Sequence, residues 1–242
     1  PAEAEGRVLE RLLPEALDAP RRELRVPGVG LIHYYAGGPE SGRPLLLVHS
    51  INAAPSAFEM RPLFEHYRSS RPVVAPDLPG FGFSERQDRR YTPGLFVQAL
   101  SGLLREVMRE PEDVVALSLG AEFAAAAALS DPERIHSLVL ISPTGFSTRT
   151  LPGGEKGERV RRVLSLPGLS QGLFATLTSR PSIRYFLGLS FVGPVPREMI
   201  DYAYATAHQP GARHAPLYFL SGQLFTQEAH LRLYPEVSQP VL

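Results

Sequence analysis

Val114-Val115-Ala116-Leu117-Ser118-Leu119-Gly120-Ala121 is the stretch on which the fold turns. A short apolar run leads into a small-x-Ser-x-Gly turn, and an alanine-rich segment follows at once. This is the strand–turn–helix context in which a serine becomes an exposed nucleophile. A strand that reverses sharply into a helix strains its turn residue and pushes the hydroxyl out of the sheet. The positions two before and two after the serine must then be small, because strand and helix pass close together. Ala116 and Gly120 meet that demand, although glycine is the commoner residue at the first. A helix beginning beside Ser118 also aims its free N–H groups at any oxyanion formed there.

Working outward, other segments alternate in the same manner. Pro44-Leu45-Leu46-Leu47-Val48 reads as a buried strand ending in His49-Ser50. Pro72-Val73-Val74-Ala75-Pro76 is another, running into Asp77-Leu78-Pro79-Gly80-Phe81-Gly82-Phe83-Ser84. Residues 22–36 read as a hairpin through Pro27-Gly28-Val29-Gly30. Strands are expected at 44–48, 72–76, 113–117 and 136–141, with helices at 56–68, 93–109 and 119–130. Such alternation predicts an α/β fold, a mostly parallel sheet with helices on both faces. A further helix is expected within residues 3–18, its length limited by Pro14. After Phe146, residues 147 to about 215 show no convincing strand, only short helical stretches divided by Pro and Gly. Residues 217–233 read as helical, and a proline followed by apolar residues at Pro240-Val241-Leu242 opens what reads as a next strand.

Roughly residues 22–146 resemble the α/β-hydrolase family well and the rest more loosely, and Asp77 to Ser84 resembles that family's loop after the fourth strand almost letter for letter. The resemblance implies three parts: a core over 1–146, a helical lid over 147–215, and a return to the core over 216–242. It implies Ser118 as nucleophile and the backbone N–H groups of Leu119 and Ile51 as an oxyanion hole. His49, Ser50, Asn52 and Phe146 are expected to line the pocket. The usual His-Gly is replaced here by His49-Ser50, and because glycine allows backbone angles that serine disfavours, the loop that carries Ile51 is expected to take a slightly different path. In the family the carboxylate and the histidine base follow the serine in chain order. Both are expected beyond Leu242, with the sheet incomplete at its C-terminal end. Glu122, four residues after Ser118, is expected to act as a favourable charge at a helix N-terminus.

Composition narrows the function. With 25 Lys+Arg against 25 Asp+Glu, the formal net charge is zero, and nothing in that total suggests nucleic acid or an anionic membrane as a partner. The absence of cysteine excludes disulfides and thiolate chemistry. No apolar run reaches the ~20 residues of a membrane span, and a cytoplasmic location is expected. No histidine–carboxylate cluster suggests a metal, and no Gly-x-Gly-x-x-Gly in the right context suggests a dinucleotide, so no cofactor is expected. Serine at the elbow argues against the dehalogenase and epoxide hydrolase branches, which the resemblance furnishes with aspartate there. Esterases, thioesterases, carbon–carbon bond hydrolases, aminopeptidases and acyltransferases stay open. The aromatic residues after Phe146 favour a small, largely apolar ester or related acyl compound as substrate. The competing reading is a non-catalytic ligand-binding protein of the same fold.

Overall fold

The computed structural model describes residues 13–108, 110–147, 152–166 and 168–242. Among the described residues six strands form one sheet: β1 (Arg21–Val26), β2 (Gly30–Gly37), β3 (Leu45–Val48), β4 (Val73–Pro76), β5 (Glu112–Leu117) and β6 (Ile135–Ile141), in the order β1-β2-β4-β3-β5-β6. The β1–β2 hairpin is antiparallel and joins β4 antiparallel, while β4, β3, β5 and β6 run parallel. Between β3 and β4 lie a 3-10 turn (Ala57–Met60) and α1 (Arg61–Tyr67). Next come α2 (Pro93–Glu106) before β5 and α3 (Gly120–Ser130) before β6. The continuous apolar runs seen in the sequence follow from burial on both faces. Leu46 and Val48 face one core with Val114 and Ala116, under α2 and α3, where Phe96 stacks on Phe123 at 4.6 Å. Leu45 and Leu47 face the other, with Met60 and Phe64. The helices therefore cover both faces, as expected.

Helix starts follow local chemistry. Thr92 accepts the Leu95 amide as an N-cap, and Pro93 occupies the first turn, where a missing N–H costs nothing. After β6 the described residues hold α4 (Gly154–Leu164), α5 (Leu169–Leu177), α6 (Arg180–Gly188), α7 (Arg197–Ala207) and α8 (His214–Leu220). The helix expected over 217–233 is interrupted. Helix α8 stops at Leu220, Gly222 and Glu228 adopt φ of +73° and +54°, and α9 (Ala229–Arg232) is a single turn. Of the helix expected within 3–18, residues 3–12 lie outside the described residues. The rest forms bends, with Leu13, Ala16 and Leu17 packed on the second core. At the C-terminal end, Val241 bridges Leu138 in parallel, and Leu242 N–H donates to the Leu138 carbonyl at 2.9 Å. The strand expected from Pro240 thus begins beside β6. Among the described residues no helix is long and apolar enough to cross a membrane.

Candidate active site

Parallel strands end at one edge of a sheet, and the loops leaving β3, β4, β5 and β6 carry His49, Asp77, Ser118 and Ser142 as their first residues. Ligands of open α/β sheets bind at this carboxyl edge. Ser118 is held at φ +56°, a left-handed conformation that a non-glycine residue enters only when its surroundings impose it. Two contacts impose it: the Ser118 amide donates to the Ile141 carbonyl at 2.9 Å, and the Ser118 carbonyl accepts the Ala121 amide at 3.0 Å. Ser118 is half-exposed, whereas Ala116, Leu119 and Gly120 around it are buried. The need for a small residue at Gly120 has a specific partner. A Cβ there would meet the His49 carbonyl oxygen at 2.4 Å and Val48 Cγ1 at 3.2 Å. The close approach is between α3 and the end of β3, so it also joins the Ser118 turn to the His49 loop.

His49 is fully buried and both ring nitrogens are occupied. Nδ1 donates to the Ser50 carbonyl at 2.6 Å, and Nε2 accepts the Leu78 amide at 2.9 Å. This fixes a neutral tautomer, and burial lowers its pKa to about 4. His49 therefore braces the β3 and β4 loops and has no nitrogen free to take a proton from a serine. Residues 50–54 are organised around Glu59. Its carboxylate accepts the Ser50 amide at 2.9 Å and Asn52 Nδ2 at 3.1 Å, and Asn52 Nδ2 also donates to Ser50 Oγ at 2.8 Å. Asn52 Oδ1 in turn accepts the Ala54 amide. Desolvation raises the Glu59 pKa, against these hydrogen bonds. The loop so held contains Ile51, and among the described residues neither the Ile51 nor the Leu119 amide donates a hydrogen bond. Two buried residues with unpaired amides therefore lie on the loops that follow β3 and β5.

Asp77 explains the glycine-rich loop behind it. Its buried carboxylate accepts the Ala57 amide at 2.8 Å and the Phe83 amide at 2.9 Å. The chain folds so tightly over it that a Cβ on Gly82 would lie 1.9 Å from the carboxylate carbon. Burial pushes the Asp77 pKa up to about 6. Glu122 lies in the first turn of α3 as expected, and it does more than place a charge there. It is buried, bonded to Thr144 Oγ1 and to the Thr226 amide, and desolvation raises its pKa. It ties α3 to the loop after β6 and to the chain beyond α8. Phe146, in that same loop, is 61% exposed and stacks on Tyr234 at 5.3 Å.

The other histidines lie in different company. His136 pairs with Asp113 at 3.0 Å, at the opposite end of β5, roughly 16 Å from Ser118 at strand rise. His214 faces Asp88, His230 bonds the Gly145 carbonyl, His208 bonds the Tyr204 carbonyl, His33 lies against Arg21, and His66 packs on Tyr67. None is hydrogen-bonded to Ser118. Among the described residues no group of three or more His, Cys, Asp or Glu could hold a metal. Sequence reasoning missed Glu59 and Asp77 as organisers. Ser56-Ala57-Phe58-Glu59 has capping-box spacing, yet Glu59 turns toward Ser50 instead of the Ser56 amide.

Fold, elbow and loop together have a counterpart among known proteins: the chain belongs to the alpha/beta hydrolase family, whose model matches residues 45–241. A relative, the 2-hydroxymuconate semialdehyde hydrolase of Pseudomonas sp. (strain CF600), is 31% identical over 173 residues. That match takes in 65% of this chain and 61% of the relative, so the chain spans about three fifths of that protein's length. Among solved structures, Cfl2 from Burkholderia cenocepacia superposes with a TM-score of 0.70 at 23% identity, over 91% of this chain and 77% of that one. A serine hydrolase involved in carbazole degradation gives 0.67 at 18%, over 92% and 77%. At these identities the two structures speak for the fold alone.

Proposed function

We propose that the protein is a serine hydrolase that cleaves a small, largely apolar ester or related acyl compound through an acyl-enzyme on Ser118. The observation that carries this reading is the left-handed Ser118 at the carboxyl end of β5; the amides of Leu119 and Ile51, unpaired among the described residues, support it. In this reading Ser118 Oγ attacks the acyl carbon while its proton passes to a general base. The oxyanion forms between the Leu119 and Ile51 N–H groups. Collapse of the tetrahedral species expels the leaving group, and water then releases the acid from Ser118. No described histidine is assigned as the base, and His49 acts only by positioning the Ile51 loop. Ser50, Asn52 and Phe146 border the substrate, and the helices between 147 and 215 form a lid over it. The match to a 2-hydroxymuconate semialdehyde hydrolase supports hydrolysis of a small organic substrate.

The test is turnover of short-chain p-nitrophenyl esters by wild type and Ser118→Ala, with folding followed by circular dichroism. Loss of turnover in a folded variant is expected. Residual hydrolysis within about tenfold of wild type would remove Ser118 from the mechanism. A folded wild type without turnover that still bound apolar acyl compounds would move the assignment to the non-catalytic ligand-binding protein.

A further inference from the structure

The net charge of zero is a sum over unequal parts. Residues 159–197 contain six arginines (Arg159, Arg161, Arg162, Arg180, Arg184 and Arg197) and no aspartate or glutamate. The rest of the chain carries the compensating negative charge. Helix α6 lies inside this segment and is apolar on its outer side as well as its inner one. Its inward positions are Ile183, which is buried, and Leu187, packed with Ile200 and Ala203 of α7. Its outward side and the turn that follows present Tyr185, Phe186 and Leu189, exposed to 64%, 53% and 70%, and the fully exposed Val192. Exposed apolar side chains are normal singly; four within eight residues make a patch that calls for a partner.

The charges beside the patch indicate which partner. Arg180 is paired with Asp201 of α7 and lies 4.4 Å over the Tyr204 ring. Arg197 reaches the same Asp201 at 3.7 Å. Arg184 has no ion pair among the described residues. With Arg180, Pro181 and Tyr185 it lines a groove of about 280 Å³. Arg180 and Arg197 share Asp201, so Arg184 is the charge of this face left without an ion pair among the described residues, and a second copy docked two-fold by the same face would bring two patches of the same sign together. An anionic bilayer offers the complementary sign and an apolar interior, and tyrosine and phenylalanine settle at the boundary between headgroups and acyl chains.

We propose that the outer side of α6 and the turn through Val192 is a docking surface for an anionic lipid bilayer. Tyr185, Phe186, Leu189 and Val192 enter the headgroup–acyl boundary, while Arg184 and the adjoining groove hold a lipid phosphate. The proposal is independent of the reaction at Ser118, and no span of the membrane is involved. The experiment is co-sedimentation of the protein with vesicles of phosphatidylcholine, and of phosphatidylcholine mixed with phosphatidylglycerol, at low and high salt. Binding to the mixed vesicles is expected, weakened by salt and much poorer on phosphatidylcholine alone. Arg184→Glu and the triple change Tyr185→Ser, Phe186→Ser, Leu189→Ser should each lower partitioning by about tenfold. Ser118→Ala should bind as wild type does. If the triple variant does not fold, Arg184→Glu still decides, because its side chain packs in no core. Equal binding to both vesicle types, binding to neither, or binding untouched by Arg184→Glu would overturn the proposal. So would a concentration-dependent dimer abolished by the α6 changes, which would assign the face to a second copy.

Discussion

Ser118 offers a position where stability and function should move in opposite directions. For an L-residue the left-handed conformation costs about 1–2 kcal/mol, and glycine escapes that cost. Ser118 sits at φ +56°, so Ser118→Ala keeps the strain and Ser118→Gly releases it. Glycine's extra freedom in the unfolded chain takes back about 0.4–1 kcal/mol. The glycine variant should therefore be more stable than the alanine variant by about 0.8 kcal/mol, within a range of about 0–1.5. For a chain of this size that is a melting temperature about 2–3 °C higher. An internal control fixes the sign. Ala126 lies in the interior of α3, where replacement by glycine should cost about 1 kcal/mol. Thermal and urea unfolding of the three variants, monitored by circular dichroism, supply the comparison. If Ser118→Gly were less stable than Ser118→Ala by as much as Ala126→Gly is below wild type, the turn would be unstrained and the elbow argument would fail.

Other expectations follow from neighbouring contacts. Gly120→Ala forces a Cβ to within 2.4 Å of the His49 carbonyl, so α3 must retreat from β3. Destabilisation of about 1–3 kcal/mol is expected, and an unchanged melting temperature would contradict the packing described. Glu112 is fully buried at the start of β5, with no hydrogen-bond partner for either carboxylate oxygen among the described residues, and burial pushes its pKa up to about 9. The folded chain then keeps a proton that the unfolded chain releases above about pH 4.5, so stability falls as pH rises between the two values. At pH 7 this costs about 3 kcal/mol at most. Glu112→Gln should raise stability at pH 8 and flatten the pH dependence of the melting temperature. A slope identical to wild type would show that Glu112 is not the titrating group.

Much of the fold was legible because its strands are buried on both faces and so appear as unbroken apolar runs. Leu45 to Val48, Val73 to Ala75 and Val114 to Leu117 are of this kind, each closed by a polar or glycine-rich turn. The elbow was legible for a related reason: few local structures call for small residues on both sides of a serine between a strand and a helix. The organisation behind it was not. Glu59 and Asp77 act across nine and twenty residues, on Ser50 and Ala57 respectively, and no spacing rule reports such contacts. Glu122 was read by its place in the first turn of α3, whereas its partners Thr144 and Thr226 come from remote segments. The broken helix after α8 escaped because its apolar spacing runs on through Gly222, whose positive φ ends it. The total charge of zero says nothing of distribution, and it conceals the six arginines of residues 159–197.

The central claim is that Ser118 is an activated nucleophile. Its most direct test is the intact mass of the protein before and after treatment with a fluorophosphonate probe, followed by peptide mapping. One adduct on Ser118, absent from Ser118→Ala, is the result expected. A folded protein with no adduct, or with the adduct on another residue, would contradict it.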